Sequence, residues 1–267
     1  MNNLRFVRGV RARVRYLGPS TFPPTVIVRG LICGMAVSTG LLLSRTAPAA
    51  EPTRLTVSIA DADTGQPIAA RVYLQDEAGE HYFFEAADER GTAIAYDKQN
   101  WANKRSIERH TTVSAHPCRT TVPAGTYTLS VHHGKTYHPE RRTLQLQGGD
   151  VSVSVSLKRW LDMQRLGWYS GDLHIHRTLD DLKTVILAED LNVVFPLTHW
   201  VTIAEKPPSA GDKNLAIELP DRLLRVDDTH VIWPRNTEYE IFSVAGKRHT
   251  LGALFLLGHP GELTDTV

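Results

Sequence analysis

The feature that most constrains the fold is a change in hydrophobic pattern near residue 158. Upstream of this point, apolar and polar residues alternate in short runs, a period that is typical of half-buried strands. The clearest runs are residues 55–59, 70–74, 127–131 and 151–155. The connections at residues 63–67 and 122–126 carry the Gly and Pro of tight turns. Strands separated by such turns, without a long amphipathic helix, predict a small antiparallel β-sandwich.

The turn motifs of this first region are specific enough to suggest a family. Asp61 is followed by Thr64-Gly65 and Pro67-Ile68, and Pro123-Ala124-Gly125 is followed by Tyr127. With these motifs, residues 53–157 resemble the carboxypeptidase regulatory-like, transthyretin-type domain. The resemblance implies an accessory β-sandwich domain over residues 51–158. Residues 83–117 fit that pattern poorly, and we expect an inserted loop there.

After residue 158 the pattern becomes that of an α/β protein. Residues 173–176 predict a strand, residues 179–188 a helix, and residues 193–197 a second, buried strand, which is βαβ order. Further strands are expected at residues 231–233, 238–244 and 251–257. The polar, proline-bearing residues 205–213 predict a loop. The fold class expected for the whole chain is therefore α/β plus all-β.

Two histidines in the first of these strands point to a metal site. His174 and His176 stand two residues apart, so an extended backbone places both imidazoles on one face, and Leu173 and Ile175 are expected to anchor the strand in the core. Neutral imidazole is the commonest side-chain ligand for zinc-like ions, and carboxylates suit manganese- or iron-like ions.

Candidate partners for this pair occur downstream, mostly beside apolar runs. They are Asp181, His199, Glu238 and His249, with Glu240 and His259 as further possibilities. In barrel-like α/β folds, functional side chains converge at strand ends. We therefore expect these side chains to gather around the imidazole pair. The ions expected are one to three divalent Mn, Fe or Zn ions.

The segment Gly171-Asp172-Leu173-His174-Ile175-His176, preceded by Trp168-Tyr169, carries a second resemblance. It is similar to the opening motif of the polymerase-and-histidinol-phosphatase (PHP) superfamily, and more narrowly of its CehA/McbA family of metallohydrolases. The resemblance implies that residues 159–267 form the N-terminal part of a distorted (β/α) barrel. It also implies that Asp172 orients an imidazole rather than binding an ion.

The likeness extends unevenly along the chain. Asp181 matches the aspartate five residues after the histidine pair, although Leu182 replaces the usual glycine. The segment 197–199 resembles the family's Thr-Asp-His without its aspartate, and the segment 236–238 resembles its Gly-x-Glu. His249 fits a later histidine that precedes an apolar strand.

This ligand set predicts hydrolysis by a water molecule that the ions activate, with no protein nucleophile. The sequence has no Gly-x-Ser-x-Gly elbow and no glycine-rich phosphate loop, which argues against serine hydrolases and P-loop enzymes. The bond could be an ester, amide, carbamate or phosphoester, in a small-molecule or cell-envelope substrate. The alternative is a non-catalytic envelope- or carbohydrate-binding β-sandwich protein that carries an inactive barrel remnant.

Residues 1–50 predict export. They contain seven arginines and no acidic residue, followed by an uncharged apolar run over residues 30–43 and by Ala47-Pro48-Ala49. The run is shorter than the ~20 residues of a membrane-spanning helix. We expect cleavage near Ala49 or Ala50, no stable membrane span after removal of the signal, and a periplasmic or extracellular protein. An uncleaved N-terminal anchor is the alternative.

Charge and cysteine content exclude two further classes. Loss of the seven arginines would leave 23 basic against 29 acidic residues, and no basic patch favours nucleic acid. Cys33 lies in the leader, so Cys118 has no partner for a disulfide in the processed chain.

The last expectation concerns length. Residues 159–267 are too few for a complete PHP barrel and end before its last Asp-x-His ligands, so a fragment or a truncated gene product is expected. We favour a fragment, because half a barrel would expose strand edges.

Overall fold

The computed structural model describes residues 51–100, 102–203, 209–210, 219–248 and 252–259. The export signal predicted over residues 1–50 and the candidate ligand His249 lie outside these ranges. Within them, no helix is both long and apolar enough to cross a membrane.

The first ten strands form two facing sheets. They are β1 (Thr53–Asp61), β2 (Ala70–Asp76), β3 (His81–Tyr82), β4 (Glu85–Ala86), β5 (Ala93–Gln99), β6 (Ile107–Val113), β7 (Cys118–Val122), β8 (Gly125–His132), β9 (Glu140–Leu146) and β10 (Gly149–Leu157). One sheet has the order β10-β1-β7-β4, and the other has the order β5-β6-β2-β8-β9 with β3 paired to β2. A 3₁₀ turn follows at Gln164–Leu166.

Period-two alternation builds the core between these sheets. In β1, Leu55, Val57 and Ile59 are buried while their neighbours are more exposed. They pack with Leu74 and Leu129 of the other sheet. The β-sandwich and its four clearest strand runs are thus confirmed. One pair departs from the antiparallel prediction, because β1 and β10 run parallel from Thr53↔Gly149 to Asp61↔Leu157.

The inserted loop predicted over residues 83–117 is wrong. These residues contain β4, β5 and β6, and β5 pairs with β6 along its whole length, from Ala93↔Val113 to Gln99↔Ile107. Most of β5 is exposed, so its sequence lacks the apolar alternation that marks a half-buried strand. This β5–β6 hairpin extends the larger sheet.

The turn after β1 is held by one carboxylate. Asp61 Oδ1 accepts hydrogen bonds from the backbone N–H groups of Asp63 (2.9 Å) and Thr64 (2.7 Å) and from the Thr64 hydroxyl (2.9 Å). Gly65 supplies the positive φ of 70° that the turn needs. Tyr137 donates to Asp61 Oδ2 at 2.7 Å. The aspartate of the turn motif therefore has a structural role: it fixes the turn and holds Tyr137 against it.

The described residues of the second region form two smaller sheets and one α-helix. Its elements are β11 (Gly171–Ile175), α1 (Leu179–Ala188), β12 (Val193–Pro196), β13 (His199–Ile203), β14 (Ser209–Ala210), β15 (Leu224–Arg225), β16 (Val231–Ile232), β17 (Asn236–Val244), β18 (Lys247–Arg248) and β19 (Leu254–Leu257). One sheet has the order β11-β12-β16-β15; the other has the order β14-β13-β17-β18, with β19 on β17. The pairings among these described strands give two sheets rather than one closed barrel.

The predicted βαβ unit is confirmed. β11 and β12 are parallel neighbours, and α1 connects them over the residues expected to be helical. The Thr178 side chain caps the helix by accepting from the backbone N–H of Asp181. Leu182 and Ile186 face Val194 and Ile232 in a second core, separate from that of the sandwich. This packing fixes the end of β11, where the histidine pair lies.

The sandwich touches the C-terminal end of α1. Arg71 Nε lies 2.9 Å from Glu189 Oε1, and the backbone N–H of Gly134 donates to the Ala188 carbonyl at 3.0 Å. A side chain at Gly134 would meet Asp190 Cβ at 2.6 Å, so only glycine fits this approach. Asp190 also accepts from the Thr136 hydroxyl at 3.2 Å. This junction sets one sheet of the sandwich beside the βαβ unit.

Candidate metal centre

The two imidazoles of the His-x-His pair lie side by side at the end of β11. Their ring centroids are 5.2 Å apart, with a 63° angle between the planes. The pairing of β11 with β12 is irregular between Asp172 and Ile175. Ile175 is buried as expected, but Leu173 is 48% exposed, so the prediction that Leu173 anchors the strand is wrong. The irregular register interrupts strict alternation there.

Asp172 acts on the backbone of this segment. Its Oδ1 accepts from the backbone N–H of His174 at 2.9 Å. The resemblance implied that this carboxylate orients an imidazole; the observed bond instead holds the main chain that carries the first imidazole. Both imidazoles remain open to solvent on one side, with 53% and 39% of the His174 and His176 side chains exposed.

The third member of the cluster is Glu238, near the start of β17. His174 Nε2 lies 3.4 Å from Glu238 Oε1, and His176 Nε2 lies 3.1 Å from Glu238 Oε2. The Glu238 side chain is only 1% exposed. Folding thus brings a buried carboxylate from the second sheet against two imidazoles from the first.

Glu238 is held in an environment that disfavours its own charge. Burial raises the pKa of Glu238 above its usual value, the nearby His174 lowers it, and the neighbouring Glu240 carboxylate raises it further. Oε2 accepts no hydrogen bond from the residues that the structure describes. A buried carboxylate oxygen without a donor costs free energy, and a bound cation would remove that cost.

The three side chains fit a divalent ion. One ligand atom from each of His174, His176 and Glu238 lies within 4.8 Å of the other two. Two ligands at ~2.1 Å from a tetrahedral ion lie about 3.4 Å apart. The two histidine-to-glutamate distances are of this size, although each goes to a different oxygen of the carboxylate. Two imidazoles and one carboxylate also form a ligand set that leaves a position open for water or substrate.

Aromatic rings flank the cluster on both sides. Cross-strand pairing aligns Trp200 of β13 and Phe255 of β19 with Glu238. The Trp200 ring lies 5.6 Å from the ring of His176, and the Phe255 ring lies 4.8 Å from that of His174. These rings restrict the imidazoles and shield the carboxylate from water. The sequence pattern alone does not indicate either ring, because the strand register that aligns them with Glu238 becomes visible only when the sheet is paired.

His199 and His259 are brought together, but away from this cluster. His199 pairs with Thr237, one residue before Glu238, so its side chain takes the opposite face of the sheet. His259 Nε2 lies 3.1 Å from the Thr237 hydroxyl, and its ring centroid is 6.2 Å from that of His199. Burial, then the charges of His259 and Arg235, lower the pKa of His199.

The remaining candidates occupy other positions. Asp181 lies in the first turn of α1, where its backbone N–H binds Thr178 Oγ1, and its carboxylate is not in the three-residue group. Glu240 is also outside that group and acts on it through its charge. His249 lies beyond the described residues. The structure thus unites His174, His176 and Glu238 and leaves Asp181, His199, Glu240 and His259 elsewhere.

A cleft of about 820 Å³ gives access to the imidazoles. His174, His176 and Asp172 line one side, and Val185 and Leu191 from α1 and the turn after it line another. The sandwich supplies a third side through residues 95–98 of β5 and through Lys135. The sequence does not predict this contribution, because β5 is mostly exposed and lacks the apolar alternation of a half-buried strand.

Comparisons with known proteins leave the family open. No protein-family model matches the sequence, and no curated protein matches it. Among solved structures, the Bacillus anthracis TIE protein is similar over 49% of this chain and 20% of its own, with a TM-score of 0.27 and 14% identity. A pilus-presented adhesin, Spy0125 (Cpa), is similar over 43% of this chain and 28% of its own, with a TM-score of 0.22 and 10% identity. The chain thus spans less than a third of either protein.

Proposed function

We propose that the protein is a metal-dependent hydrolase of the PHP superfamily, close to the CehA/McbA family, and that residues 159–267 are the first part of its distorted barrel. The observation that carries the proposal is the convergence of two solvent-facing imidazoles on one buried carboxylate whose Oε2 accepts no hydrogen bond from a described residue. The ligand distances fit Mn, Fe or Zn. Further ions, up to three in all, would need ligands beyond this cluster.

His174, His176 and Glu238 would hold the ion, and the aromatic rings of Trp200 and Phe255 would keep these ligands in place. A bound divalent ion supplies Lewis-acid chemistry, activating water and polarising the oxygen of an ester, amide, carbamate or phosphoester. Asp172 fixes the main chain at His174. The open face of the imidazoles, which lines the cleft, is where a small-molecule or cell-envelope substrate would enter.

Metal content tests the proposal. The purified full chain is expected to hold at least one Mn, Fe or Zn per molecule by mass spectrometry, and His174→Ala and His176→Ala are each expected to abolish it. His138→Ala, which alters an exposed histidine of the sandwich, is the matched control and should retain the metal. A metal-free protein whose thermal stability is unchanged by added Mn or Zn would contradict the proposal and favour the non-catalytic envelope- or carbohydrate-binding alternative.

We also propose that the protein is exported to the periplasm or the extracellular space. The basis is the arginine-rich leader, its apolar run and Ala47-Pro48-Ala49. Mass spectrometry of protein from intact cells is expected to find Ala50 or Glu51 at the N-terminus. An intact leader on protein recovered from the cytosol would contradict this.

A further inference from the structure

The cleft beside the candidate metal centre is built by both regions of the chain. Its β5 wall carries Tyr96, Asp97 and Lys98 of the sandwich, and these lie across from the segment that contains His174 and His176. An accessory sandwich that only stabilised the protein would not need to reach this cleft. The β5 wall can therefore touch whatever approaches the imidazoles.

The β5 wall is held in place by a column of stacked side chains. The Arg177 guanidinium, directly after His176, lies 4.4 Å from the centroid of the Tyr96 ring. Tyr96 lies 5.2 Å from His110, which in turn lies 5.2 Å from Tyr73. Burial lowers the pKa of His110 to about 4, so its ring stays neutral within the column. Glu108 Oε1 accepts from the Tyr73 hydroxyl at 2.7 Å, which fixes the far end.

This column couples the wall to the histidine pair. Cation–π contacts are worth about 0.5–2 kcal/mol, and burial of the stacked rings adds to that. The position of Tyr96 is thus set by the body of the sandwich on one side and by Arg177 on the other. A wall held in this way can select substrates by shape and charge.

The charges on this wall favour an anion. Asp97 is neutralised by Arg109 at 2.8 Å, and Glu189 is neutralised by Arg71 at 2.9 Å. Lys98 and Lys135 line the same cleft, and no ion pair among the described residues involves either of them. Glu108, the cross-strand neighbour of Lys98, instead accepts from the Tyr73 hydroxyl and contacts His110. Lys98 shares the face of Tyr96, because the two stand two residues apart on one strand. The unneutralised charge on the sandwich side of the cleft is therefore positive.

We propose that Tyr96 and Lys98 of the β5 wall, together with Lys135, determine substrate specificity. They bind an anionic group of the substrate, away from the bond that is hydrolysed. The proposal rests on the hydrolase function proposed above and deepens it. The substrate class is an ester or amide that also carries a carboxylate or a phosphate. His174, His176 and Glu238 would hold the ion that activates water at the scissile bond, while the sandwich would bind the anionic end.

Calorimetric titration of the Mn-loaded full chain at low salt tests the wall. Monomethyl glutarate, an ester with one carboxylate, is expected to bind, and Lys98→Met and Lys135→Met should each weaken its binding by about three- to tenfold. Uncharged dimethyl glutarate should bind equally to all variants. Lys104→Met, at an exposed lysine of the same hairpin outside the cleft, is the matched control and should bind like the parent protein. Lys98→Arg should retain binding because it keeps the charge.

Glycerol 3-phosphate, titrated in the same way, distinguishes a phosphate from a carboxylate. The anion whose binding is weakened more by loss of the two lysines is the group that the wall binds. Absence of binding by both anions, or equal affinities in the parent protein and both lysine variants, would overturn the wall. Because binding is read without turnover, the two proposals can fail separately. A protein that binds monomethyl glutarate through these lysines but hydrolyses no ester refutes the hydrolase and retains the wall. Ester hydrolysis that does not depend on either lysine refutes the wall and retains the hydrolase.

Discussion

Two buried carboxylates, one in each region of the chain, differ in their hydrogen-bond donors and in the direction of their pKa shifts. Asp61 of the sandwich is 7% exposed and accepts from two backbone N–H groups and two hydroxyls. Burial alone would raise the pKa of Asp61, but the hydrogen bonds from Tyr137 and Thr64 lower it to about 2. Glu238 is 1% exposed, its Oε2 accepts no hydrogen bond from a described residue, and its pKa is raised.

The comparison shows how two acids of similar burial can serve different purposes. A carboxylate surrounded by donors stabilises the fold and has no capacity left for a ligand. A carboxylate left short of donors, next to two imidazoles, costs stability until a cation arrives. The sandwich is expected to behave as a self-sufficient scaffold, and the second region as a site that its ligand completes.

The largest effect is expected from the core of the scaffold. Leu129→Ala should lower the free energy of unfolding by about 2–5 kcal/mol, because Leu129 is 1% exposed and its loss leaves a cavity. Chemical denaturation measures this. Leu166→Ala, at a leucine that is 64% exposed, is the control and should change stability by less than about 0.5 kcal/mol. Manganese affinity under native conditions should be the same in both variants, because none of the three proposed ligands lies in the sandwich. Loss of affinity in Leu129→Ala alone would show that metal binding depends on the sandwich.

Glu238→Gln tests the other side of the comparison. The metal-free variant should be as stable as the parent protein or more so, because a neutral amide replaces a buried charge of similar shape. Its manganese affinity should fall at least about 100-fold, since even the loss of groups outside the ligand shell costs up to that much. Thermal unfolding with and without Mn measures both. A metal-free variant much less stable than the parent would mean that Glu238 is a structural acid like Asp61.

Asp61→Asn should remove a pH dependence that the parent protein shows. Because the pKa of Asp61 is about 2 when folded and near 3.8 when unfolded, its charge stabilises the fold above pH ~4. That contribution, about 2 kcal/mol, is lost as the pH falls from 4 towards 2. Unfolding free energies measured over this range should converge for parent and variant at the acid end. Parallel curves would show that the hydrogen bonds to the Asp61 carboxylate do not stabilise the fold.

The smallest effect is expected at the junction of the two regions. Burial lowers the pKa of His230, but the nearby Asp190 carboxylate, 3.6 Å away, and the hydrogen-bonded Asp227 carboxylate outweigh this and raise it. His133 and Arg159 are the other titratable or charged groups acting on Asp190. The charged His230 therefore stabilises the fold fully below its ordinary pKa of 6.5, and its contribution is lost as the pH rises through the raised pKa. His230→Gln should flatten melting temperature against pH above 6.5, and exposed His138→Gln should not.

Much of the fold could be predicted from local pattern. The strand runs of the sandwich, the helix over residues 179–188 and the βαβ order follow from hydrophobic periodicity, and each is observed. The β5–β6 hairpin could not be predicted in this way, because β5 is mostly exposed and is held by stacking through Tyr96 rather than by an apolar face. The parallel pairing of β1 with β10 is a long-range choice that local pattern does not contain.

The candidate site divides along the same line. His174 and His176 were predictable because their spacing alone places them together, and the resemblance singled out Glu238. The position of His199 depends on the register between β13 and β17, and a shift of one residue moves a side chain to the other face. Trp200, Phe255 and the cleft wall at Tyr96 depend on how separate strands meet, which single-sequence pattern does not specify.

The neighbouring positions of β1 and β10 bear on the order in which the chain can mature. β1 (Thr53–Asp61) is the first strand of the sandwich along the chain, yet one of its two edges pairs with β10, which lies nearly a hundred residues later. Until residues 149–157 are free, that edge stays open and the larger core cannot close. β10 is followed directly by the segment that leads to the histidine pair, so the sandwich can close only shortly before the second region begins to fold.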